Sequence, residues 1–355
     1  MYPPCGTYND SYDKDMSIVR TKTQWSLLVA FLAFIFAFPF LPFVSGYIVS
    51  VLIDIAIVLI AVQGINIVTG YCGQITLGQA GFVMIGAYTS AIISNELGLS
   101  FWIALPVAGI TATLLGLFFA LPAVRVKGLY LALATLAAQF IIMWTLRYVP
   151  EMFGLIWGAA GLRAPAPMLG SISLGSTTAF YYLAMSISVL MVFFAKSIVR
   201  SGLGRAFVAV RDNDKAAEAI GINIFYYKLI AFGICSFYGG IAGSLSAHYA
   251  SWIGAESFHL MDSVWWIGMA IIGGLGSTVG PIFGVILLTI LRQFMMIMGP
   301  KMEVSVPFLA PGAESGLIVL AFGVVILLFL LYEPRGLAHR WGIFKSQYRL
   351  WPFAY

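Results

Sequence analysis

Long apolar stretches recur along the whole chain, and this recurrence restricts the fold more than any other feature. Of the 355 residues, 61% are hydrophobic and 9% are charged, whereas a soluble domain has about 45–50% apolar and about 25% charged residues. The mean hydropathy is +0.96, and one bilayer crossing takes about 20 apolar residues. The composition therefore excludes a water-soluble globule and predicts an all-α polytopic membrane protein with about ten transmembrane helices.

The first apolar run, 25–44, follows a polar N-terminal segment, 1–24, of mixed charge. We interpret this run as a membrane helix and not as a cleaved signal peptide, because a signal peptide has an apolar core of only about 7–15 residues. The remaining apolar runs are 47–68, 75–95, 101–124, 129–149, 179–195, 226–250, 263–275, 277–298 and 315–332. The sequence thus predicts a transmembrane domain over 25–332 and a tail over 333–355.

The placement of basic residues predicts which side of the membrane each loop occupies. If the N-terminus is cytoplasmic, fifteen of the 19 Lys and Arg residues fall on cytoplasmic pieces. The four others are Arg147, Arg163, Arg292 and Lys301. Positive residues concentrate on the cytoplasmic side of membrane proteins. We therefore expect an even number of spans with both termini in the cytoplasm, and we assign the net charge of +5 to membrane sidedness and not to a nucleic acid partner.

Two classes of site are excluded by what the chain lacks. Cys5, Cys72 and Cys235 are far apart, so they supply neither a disulfide framework nor a thiolate metal site. The His, Glu, Asp and Ser residues do not cluster at one predicted membrane depth, as an enzyme embedded in the membrane would require. The sequence predicts no cofactor, no metal and no catalytic residue.

Two glycine-rich interruptions fall at predicted membrane depth. In the first, 70–79, we single out Gly73, Gln74, Gly78 and Gln79. In the second, 273–277, we single out Gly274, Gly276 and Ser277. Irregular backbone is tolerated within a bilayer only where it is buried in protein or lines a wet cavity, so these breaks are candidates for the translocation path. The alternative is that their glycines only allow helices to pack closely.

The order of the runs also permits an internal symmetry. Runs two to five and runs seven to ten enter the membrane from opposite sides, so the two halves could form an inverted repeat. The two glycine-rich interruptions fall at roughly corresponding places in these halves.

The longest basic segment, 196–225, connects the sixth and seventh runs. Asp212 or Asn213 is suited to cap a helix, Asp214 to its first turn and Gly221 to its end. The pattern predicts a helix of about two turns, which needs a surface to pack against because so short a helix is marginal in water. Its alanines allow close approach to a groove on a partner, although an ordinary basic loop would also satisfy the sidedness rule.

Four blocks of the sequence are together similar to a known family, the membrane-spanning permease of bacterial ABC importers for branched-chain amino acids. The blocks are 70–82 with 85–88, 125–136, 204–232, and 273–284 with 333–337. They follow one another in the family's order and extend over most of the chain. One glycine-rich block would carry little weight, but four in order are specific.

The resemblance implies that the 196–225 loop contains a coupling helix that docks on a cytoplasmic ATPase. The residues it assigns to this role are Arg205, Arg211, Asn213, Ala216, Ala217, Glu218 and Gly221. The implied partners are two ATPase subunits, a second and similar permease, a periplasmic solute-binding protein and membrane lipid, and the implied location is the bacterial inner membrane. Consistently, the chain has no phosphate-binding loop of the form G-x-x-x-x-G-K-[ST].

Departures from the family pattern leave the transported solute open. Gln79 stands where the family commonly has histidine, Thr76 replaces a frequent serine, and 157–162 is apolar where the family often has a polar stretch. We expect a branched-chain or other aliphatic amino acid, with urea or a short amide as the alternative.

Ionisable residues within predicted spans are costly and call for a role. We expect Asp54 to be partly hydrated or paired, Arg147 to reach the membrane surface and His248 to be structural, while Arg292 is the best candidate for a partner carboxylate. A secondary transporter coupled to ions through Asp54 and Arg292 remains a second hypothesis. Acidic residues on predicted outer segments could dock a basic binding protein or simply be solvated. They are Glu96, Glu151, Glu256, Asp262, Glu303 and Glu314.

Overall fold

The structure is a computed structural model that describes residues 22–40, 44–126, 128–152, 161–169, 172–305 and 313–350. Most of the predicted N-terminal segment, residues 157–160 of the apolar stretch and the last five residues of the tail lie outside these ranges. The helices of the described chain are α1 Lys22–Ala37, α2 Gly46–Ile65, α3 Gln79–Asn95, α4 Phe101–Ala123, α5 Leu129–Met152, α6 Thr177–Arg200, α7 Gly202–Asp212, α8 Asp214–Ala219, α9 Ile224–Ala250, α10 Leu260–Gly273, α11 Gly280–Ser305, α12 Ala313–Tyr332 and α13 Leu337–Leu350.

Short strands and irregular turns connect some of these helices. Strand β1 (Leu162–Arg163) pairs antiparallel with β4 (Trp252–Ile253), and β2 (Met168–Leu169) pairs with β3 (Ile172–Ser173). Each strand has only two residues, so these pairs fasten loops together and do not form a layer of the fold. The described chain is otherwise a helical bundle.

Six helical segments in the described ranges are long and apolar enough to cross a membrane: Gly46–Tyr71, Phe101–Pro122, Leu129–Val149, Thr177–Arg200, Ile224–Ala250 and Gly280–Met298. A seventh is obtained if the pair Val319–Tyr332 and Leu337–Gln347, bent by 45°, counts as one span. The prediction of an all-α polytopic membrane protein is confirmed, with six or seven candidate spans. The difference from ten arises mainly because α1, α3 and α10 have 16, 17 and 14 residues.

The first glycine-rich interruption shortens α3. The apolar run predicted a helix from residue 75, but α2 continues through a wide turn, Asn66–Tyr71, and α3 begins only at Gln79. Between them Gly73 has φ +71°, a left-handed conformation that glycine adopts at little cost and that ends a right-handed helix. Residues 72–78 therefore form an irregular segment inside the bundle.

The second interruption separates α10 from α11, and the predicted break is present as a tight hairpin. Gly274 and Gly276 have φ of +112° and +75°, which turns the chain back on itself. The two helices then pack backbone to backbone, since a Cβ on Gly284 would overlap the carbonyl oxygen of Met269. Small residues at such a crossing allow helices to approach closely in a membrane.

Helices α2 and α9 form the centre of the bundle. In an apolar 18-residue window of their spans, 67% and 72% of residues are buried, whereas the value is 28–33% for the corresponding windows in α4, α5, α6 and α11. Helix α9 approaches α3 so closely at Gly243 that a Cβ on this residue would overlap the carbonyl oxygen of Val83. A second apolar cluster joins α2, α10, α11 and α12 around Val62, Met269 and Phe322.

Candidate coupling surface and translocation path

The loop between the sixth and seventh predicted runs folds into two short helices, α7 and α8. Asn213 lies between them and caps α8, because its Oδ1 accepts a hydrogen bond from the backbone N–H of Ala216 at 3.1 Å. Helix α8 ends where Gly221 has φ +88°, with N–H groups of Gly221 and Ile222 bonded to the carbonyls of Glu218 and Ala217. This pair of bonds is the Schellman motif, which favours glycine at that position. Asn213 and Gly221 thus delimit the helix as expected.

The described surface of α8 is divided between an inner and an outer face. Ala217 is only 2% exposed and packs against its own chain. Ala216, Glu218 and Gly221 are exposed, and Ile220 just beyond the helix is 75% exposed. An exposed isoleucine beside exposed alanines suits contact with another protein. Ala217 therefore supports the helix from beneath, while its neighbours face outward.

Arg211, the last basic residue of α7, connects this loop to the first glycine-rich break. Its Nη1 donates a hydrogen bond to the carbonyl oxygen of Gly70 at 2.9 Å, and its side chain also pairs with Asp212 at 2.9 Å. Gly73 leaves room for the arginine stem, because a Cβ there would lie 2.8 Å from Cγ of Arg211. Arg205 lies one and a half turns earlier on α7 and is exposed, with a long 3.5 Å contact to the carbonyl of Arg200.

The two glycine-rich breaks contact each other through Asn66. Its Oδ1 accepts a hydrogen bond from the N–H of Gly276 at 3.0 Å, and its Nδ2 donates to the carbonyl of Ser277 at 2.9 Å. Gln63, one turn earlier on α2, donates from Nε2 to the carbonyl of Thr278 at 3.0 Å. Asn66 and Gln63 are 1% and 0% exposed. The hairpin between α10 and α11 is thus held by buried amides of α2, which satisfy backbone groups that a broken helix leaves free.

Gln79 stands at the start of α3 and joins three helices. Its Nε2 donates to the carbonyls of Ala61 on α2 and Cys235 on α9, at 3.2 and 3.3 Å, and its Oε1 accepts from the Cys235 thiol at 3.0 Å. The side chain is fully buried. A neutral amide can both donate and accept hydrogen bonds here, so Gln79 joins the three helices without a buried charge.

Two other residues of the first break pack against neighbours. Gly78 approaches α5 so closely that a Cβ would lie 2.7 Å from the carbonyl oxygen of Thr135. Gln74 is 8% exposed and lines, with Gly73 and Arg211, a cleft of about 380 Å³. Gly73 and Gln74 therefore border open space, whereas Gly78 and Gln79 are enclosed.

Gly274 and Ser277 line a second cleft, of about 410 Å³, at the same end of the bundle. Its other wall is formed by the start of α13, including Arg335 and His339. A Cβ on Gly274 would lie 3.1 Å from the Cβ of Ala338, so the glycine lets α13 approach the hairpin. Gly276 instead faces Arg211, whose Nη1 would lie 3.0 Å from a Cβ at that position.

A buried ion pair lies behind α8. The Nζ of Lys228 on α9 is 3.4 Å from Oδ2 of Asp214, and the lysine side chain is 2% exposed. Glu218, Gly221 and Lys228 also line a cleft of about 600 Å³. Removing one partner of a buried ion pair leaves the other charge uncompensated, which is strongly destabilising. The pair therefore holds α8 against α9.

The ionisable residues of the spans occupy different surroundings. Arg147 pairs with Glu256 at 3.0 Å, with both side chains partly exposed, as expected of a residue that reaches the surface. His248 is structural: its Nδ1 lies 2.7 Å from the carbonyl oxygen of Pro165 and its Nε2 lies 2.9 Å from Oγ of Ser90. Asp54 and Arg292 are both exposed on the surface of the single chain.

Several residues of these contacts were not anticipated from the sequence, namely Gln63, Asn66, Thr135, Gln139, Lys228 and Ser263. All are polar residues that the structure buries. Their signal was present, because a polar side chain within an apolar run is expensive unless it has a partner. What the sequence could not supply was the partner, which for all of them except Lys228 lies more than fifty positions away in the chain.

In the part of the chain that the structure describes, no group of three or more His, Cys, Asp or Glu residues could hold a metal ion. The described residues instead form a bundle around the central helices α2 and α9, with two glycine-rich breaks in its helices. The short exposed α7–α8 loop is connected to both breaks through Arg211. This arrangement defines a multi-pass membrane protein of the transport class, in which irregular backbone lies inside the bundle.

The chain belongs to the family described as branched-chain amino acid transport system, permease component, whose model matches residues 47–332. This is a family of transport subunits, so the chain is a transport component and not an enzyme. No solved structure is detectably similar to the chain.

Individual relatives agree with this assignment. The chain is 30% identical to the high-affinity branched-chain amino acid transport system permease protein LivM of Escherichia coli K12, over 89% of this chain and 75% of LivM. It is 27% identical to a probable branched-chain amino acid transport permease protein LivM of Methanocaldococcus jannaschii, over 71% and 72% of the two chains. A more distant relative is the autoinducer 2 import system permease protein LsrC of Escherichia coli O9:H4, 26% identical over 52% of this chain and 55% of LsrC.

Proposed function

We propose that the chain forms, with a second similar permease, the path by which an ATP-driven importer carries a branched-chain or other aliphatic amino acid across the bacterial inner membrane. Two cytoplasmic ATPase subunits supply the energy, and a periplasmic solute-binding protein delivers the solute. Membrane lipid surrounds the pair. The proposal extends the family assignment to the cargo, the location and the partners.

The observation that carries this proposal is the continuous connection from α8 to both glycine-rich breaks. The outer face of α8 would dock on an ATPase, and α7 leads from it to Arg211, which is bonded to Gly70 and packed against Gly276. Asn66 then joins Gly276 and Ser277 to α2. A displacement of α8 by the ATPase would therefore pull directly on the interrupted segments, which is how a local movement is converted into alternate opening.

Within the loop, we assign the coupling residues different tasks. Ala216, Glu218 and Gly221 contact the ATPase, Ala217 and Asn213 maintain the shape of α8, and Arg211 transmits its movement, while Arg205 contributes exposed positive charge. The translocation path passes the two breaks, with Gly73, Gln74, Gly274, Gly276 and Ser277 at its α7–α8 end. Gly78 and Gln79 lie deeper, where α3 begins.

We propose that ten helices enter the membrane, with both termini and the α7–α8 loop in the cytoplasm. Helix lengths support an inverted repeat of α2 to α5 and α9 to α12. The 26-residue span ending at Tyr71 is followed by an irregular segment and the 17-residue α3, and the 27-residue α9 is followed by residues 251–259 and the 14-residue α10. On this pairing the counterpart of 70–79 is 251–259, and the hairpin at 273–277 is a separate feature.

Two alternatives remain distinct from this proposal. The same importer could carry urea or a short amide, because the neutral Gln79 replaces a titratable residue. An ion-coupled transporter is favoured by the exposed charges of Asp54 and Arg292, which are costly against lipid. We assign these two residues instead to a face covered by the second permease or by water.

The test is reconstitution in proteoliposomes. The chain with its partner permease, ATPase subunits and binding protein should accumulate radiolabelled leucine only when ATP is inside the vesicles. Vesicles that contain this chain alone should accumulate none, even with an ion gradient. Uphill uptake by the chain alone would refute the proposal. Uptake of urea but not of leucine by the full complex would show that the cargo is urea and not an aliphatic amino acid.

A further inference from the structure

Helices α3 and α10 are the two short helices of the bundle interior, and their N-terminal turns meet. The backbone N–H of Ala80, in the first turn of α3, donates to Oγ of Ser263, in the first turn of α10, at 2.9 Å. Just before α3, the N–H of Leu77 donates to Oγ1 of Thr135 on α5 at 3.0 Å. The residue at the N-cap position of α3 is Gly78, which has no side chain to accept hydrogen bonds from the first N–H groups of the helix. Hydroxyl groups of other helices accept hydrogen bonds at this end instead.

The meeting point lies deep in the bundle. Gln79 at the start of α3 is bonded to the carbonyl of Ala61, which is ten residues from the end of the Gly46–Tyr71 span. At about 1.5 Å per residue, this is about 15 Å from the α7–α8 end of the span and about 22 Å from the other end. The N-terminus of α3 is therefore near the middle of the membrane-spanning part, where solute sites of transporters built from interrupted helices are expected.

Gln139 on α5 adds a polar group without a partner at this point. Its Oε1 accepts a hydrogen bond from Oγ of Ser263 at 2.8 Å, and its Cα and Cγ would lie 3.3 and 3.5 Å from a Cβ on Gly81 in the first turn of α3. The side chain is 1% exposed, and its Nε2 has no hydrogen-bond partner among the described residues. A buried donor left unpaired costs free energy. A ligand that accepts a hydrogen bond from Nε2 of Gln139 would remove this cost.

The sign of the local field favours an anion. The N-terminus of a helix carries partial positive charge and free N–H groups, and the first turn of α3 contains no acidic residue to neutralise it. Helix α10 differs, because Oδ2 of Asp262 already accepts the N–H of His259 at its own N-terminus. The N-terminus of α3 is therefore the one whose N–H groups are bonded to neutral hydroxyls and not to a carboxylate.

An apolar wall borders the same point. The Cδ1 of Ile142 would lie 3.2 Å from a Cβ on Gly81, and Ile142 belongs to a buried cluster with Phe82, Ile85 and Ala112. A ligand with a carboxylate at one end and an aliphatic group at the other would match donors on one side and this cluster on the other.

We propose that the N-terminus of α3, together with Ser263, Gln139 and Thr135, is the site that binds the carboxylate of the transported solute halfway across the membrane. The proposal rests on the proposed amino acid cargo and names the residues that receive it. The carboxylate takes hydrogen bonds from the N–H of Ala80, from Nε2 of Gln139 and from the hydroxyl of Ser263. In the structure, the hydroxyls of Ser263 and Thr135 accept the N–H groups of Ala80 and Leu77, and the carboxylate would replace them.

The donor set explains why such a site would release its solute. All of its groups are neutral, and no arginine or lysine among the described residues contacts them. A transport site must bind well enough to admit the solute and weakly enough to let it leave. Binding by helix N–H groups and neutral side chains meets both conditions.

The test measures binding of leucine and of leucinamide, which lacks the carboxylate, to the purified complex without the binding protein, by isothermal titration calorimetry. Gln139→Met and Ser263→Ala should weaken leucine binding about ten-fold or more while changing leucinamide binding little. The ratio of the two affinities should therefore fall by the same factor. Ser188→Ala, which removes a buried hydroxyl of α6 that has no partner among the described residues, should leave both affinities unchanged.

Thermal unfolding separates this role from a structural one. Gln139→Met removes the unpaired Nε2 but also the acceptor of the Ser263 hydroxyl, and these opposite effects should leave the melting temperature close to that of the parent protein. A lower melting temperature with an unchanged ratio of leucine to leucinamide affinity would overturn the proposal. If the parent complex transports leucine and both variants bind it normally, this site is wrong and the proposed function stands; if the parent complex neither binds nor transports leucine, both fall.

Discussion

Nη1 of Arg211 donates a hydrogen bond to the carbonyl oxygen of Gly70 at 2.9 Å. The two residues are 141 positions apart in the chain, one in the exposed α7–α8 loop and the other in the turn that ends the Gly46–Tyr71 span. Gly276 of the second break packs against the same guanidinium. A single side chain of the loop thus contacts both interruptions.

Replacing Arg211 with alanine should separate ATP hydrolysis from transport. The variant loses a charge-assisted hydrogen bond worth about 1.5–3 kcal/mol, so we expect leucine uptake per ATP hydrolysed to fall about ten-fold while basal ATPase activity persists. The measurement is parallel uptake and phosphate release in proteoliposomes. Arg205→Ala removes the same charge from the same helix without contact to Gly70, and it should retain most of the coupling. Equal losses in both variants would argue for a simple charge effect.

Tryptophan at neighbouring positions of α8 should have opposite effects. Ala216 is exposed, so Ala216→Trp should change stability by no more than about 0.5 kcal/mol but block association with the ATPase subunits. Ala217 is 2% exposed, and Ala217→Trp should destabilise the chain itself by about 1–3 kcal/mol through overpacking. Co-purification of the ATPase and thermal unfolding of the permease report the two effects. Leu97→Trp, at an exposed position away from the loop, is the control for added bulk.

Asn66→Ala should loosen the hairpin between α10 and α11. The substitution leaves the N–H of Gly276 and the carbonyl of Ser277 without their partner, and we expect a loss of about 2–4 kcal/mol because each buried unpaired group costs about 1–3 kcal/mol. Apparent melting temperature and proteolysis near residue 275 would report it. Asn95→Ala removes an amide that makes an exposed 3.3 Å contact with Glu96, so the melting temperature of this variant should not change. A stable Asn66→Ala protein would show that the hairpin does not depend on α2.

Cys72 should report movement of the loop. Its thiol is buried, so a water-soluble maleimide has little access to it. We expect very slow maleimide labelling in the resting complex. Trapping the ATPase with bound nucleotide should accelerate labelling if α7 withdraws from Gly73. The comparison uses Cys72→Ser to subtract other cysteines, and identical rates in both states would mean that this region stays closed.

Much of the fold followed from the sequence because membrane helices are specified locally. Apolar runs predicted α2, α4, α5, α6, α9 and α11 within a few residues, since the cost of exposing backbone to lipid leaves few alternatives to a helix. The cap Asn213 and the stop Gly221 were likewise predicted correctly, because capping depends on residues within one turn.

Helix α3 begins at Gln79, four residues after the start of the apolar run that predicted it. Residues 75–78 continue an apolar run, but they lie where Gly73 turns the chain and Thr135 approaches Gly78. Hydropathy does not register a left-handed glycine or a close crossing of helices, so the run appeared longer than the helix. The glycine-rich pattern at 70–79 did mark the extent of the interruption, since the irregular segment covers residues 72–78.

The candidate site shows the same division between local and distant information. Coupling residues were placed on the loop by family resemblance, yet which of them face outward depended on how α8 packs on α9. Ala217 and Ala216 are equivalent in sequence and opposite in position. Gln139 and Ser263 did not stand out, because nothing in either segment indicates that they meet.

The sequence by itself determined that this chain is a helical membrane protein of a permease family, where its helices run and where its backbone breaks. These properties depend on apolar length, glycine and capping residues, which act over one or two turns. Only the tertiary structure decided that Arg211 contacts Gly70, that Asn66 holds the second break, and that the N-termini of α3 and α10 meet beside Gln139. Those contacts join residues more than a hundred positions apart or on different helices, and polar groups find such partners only when the whole bundle has assembled.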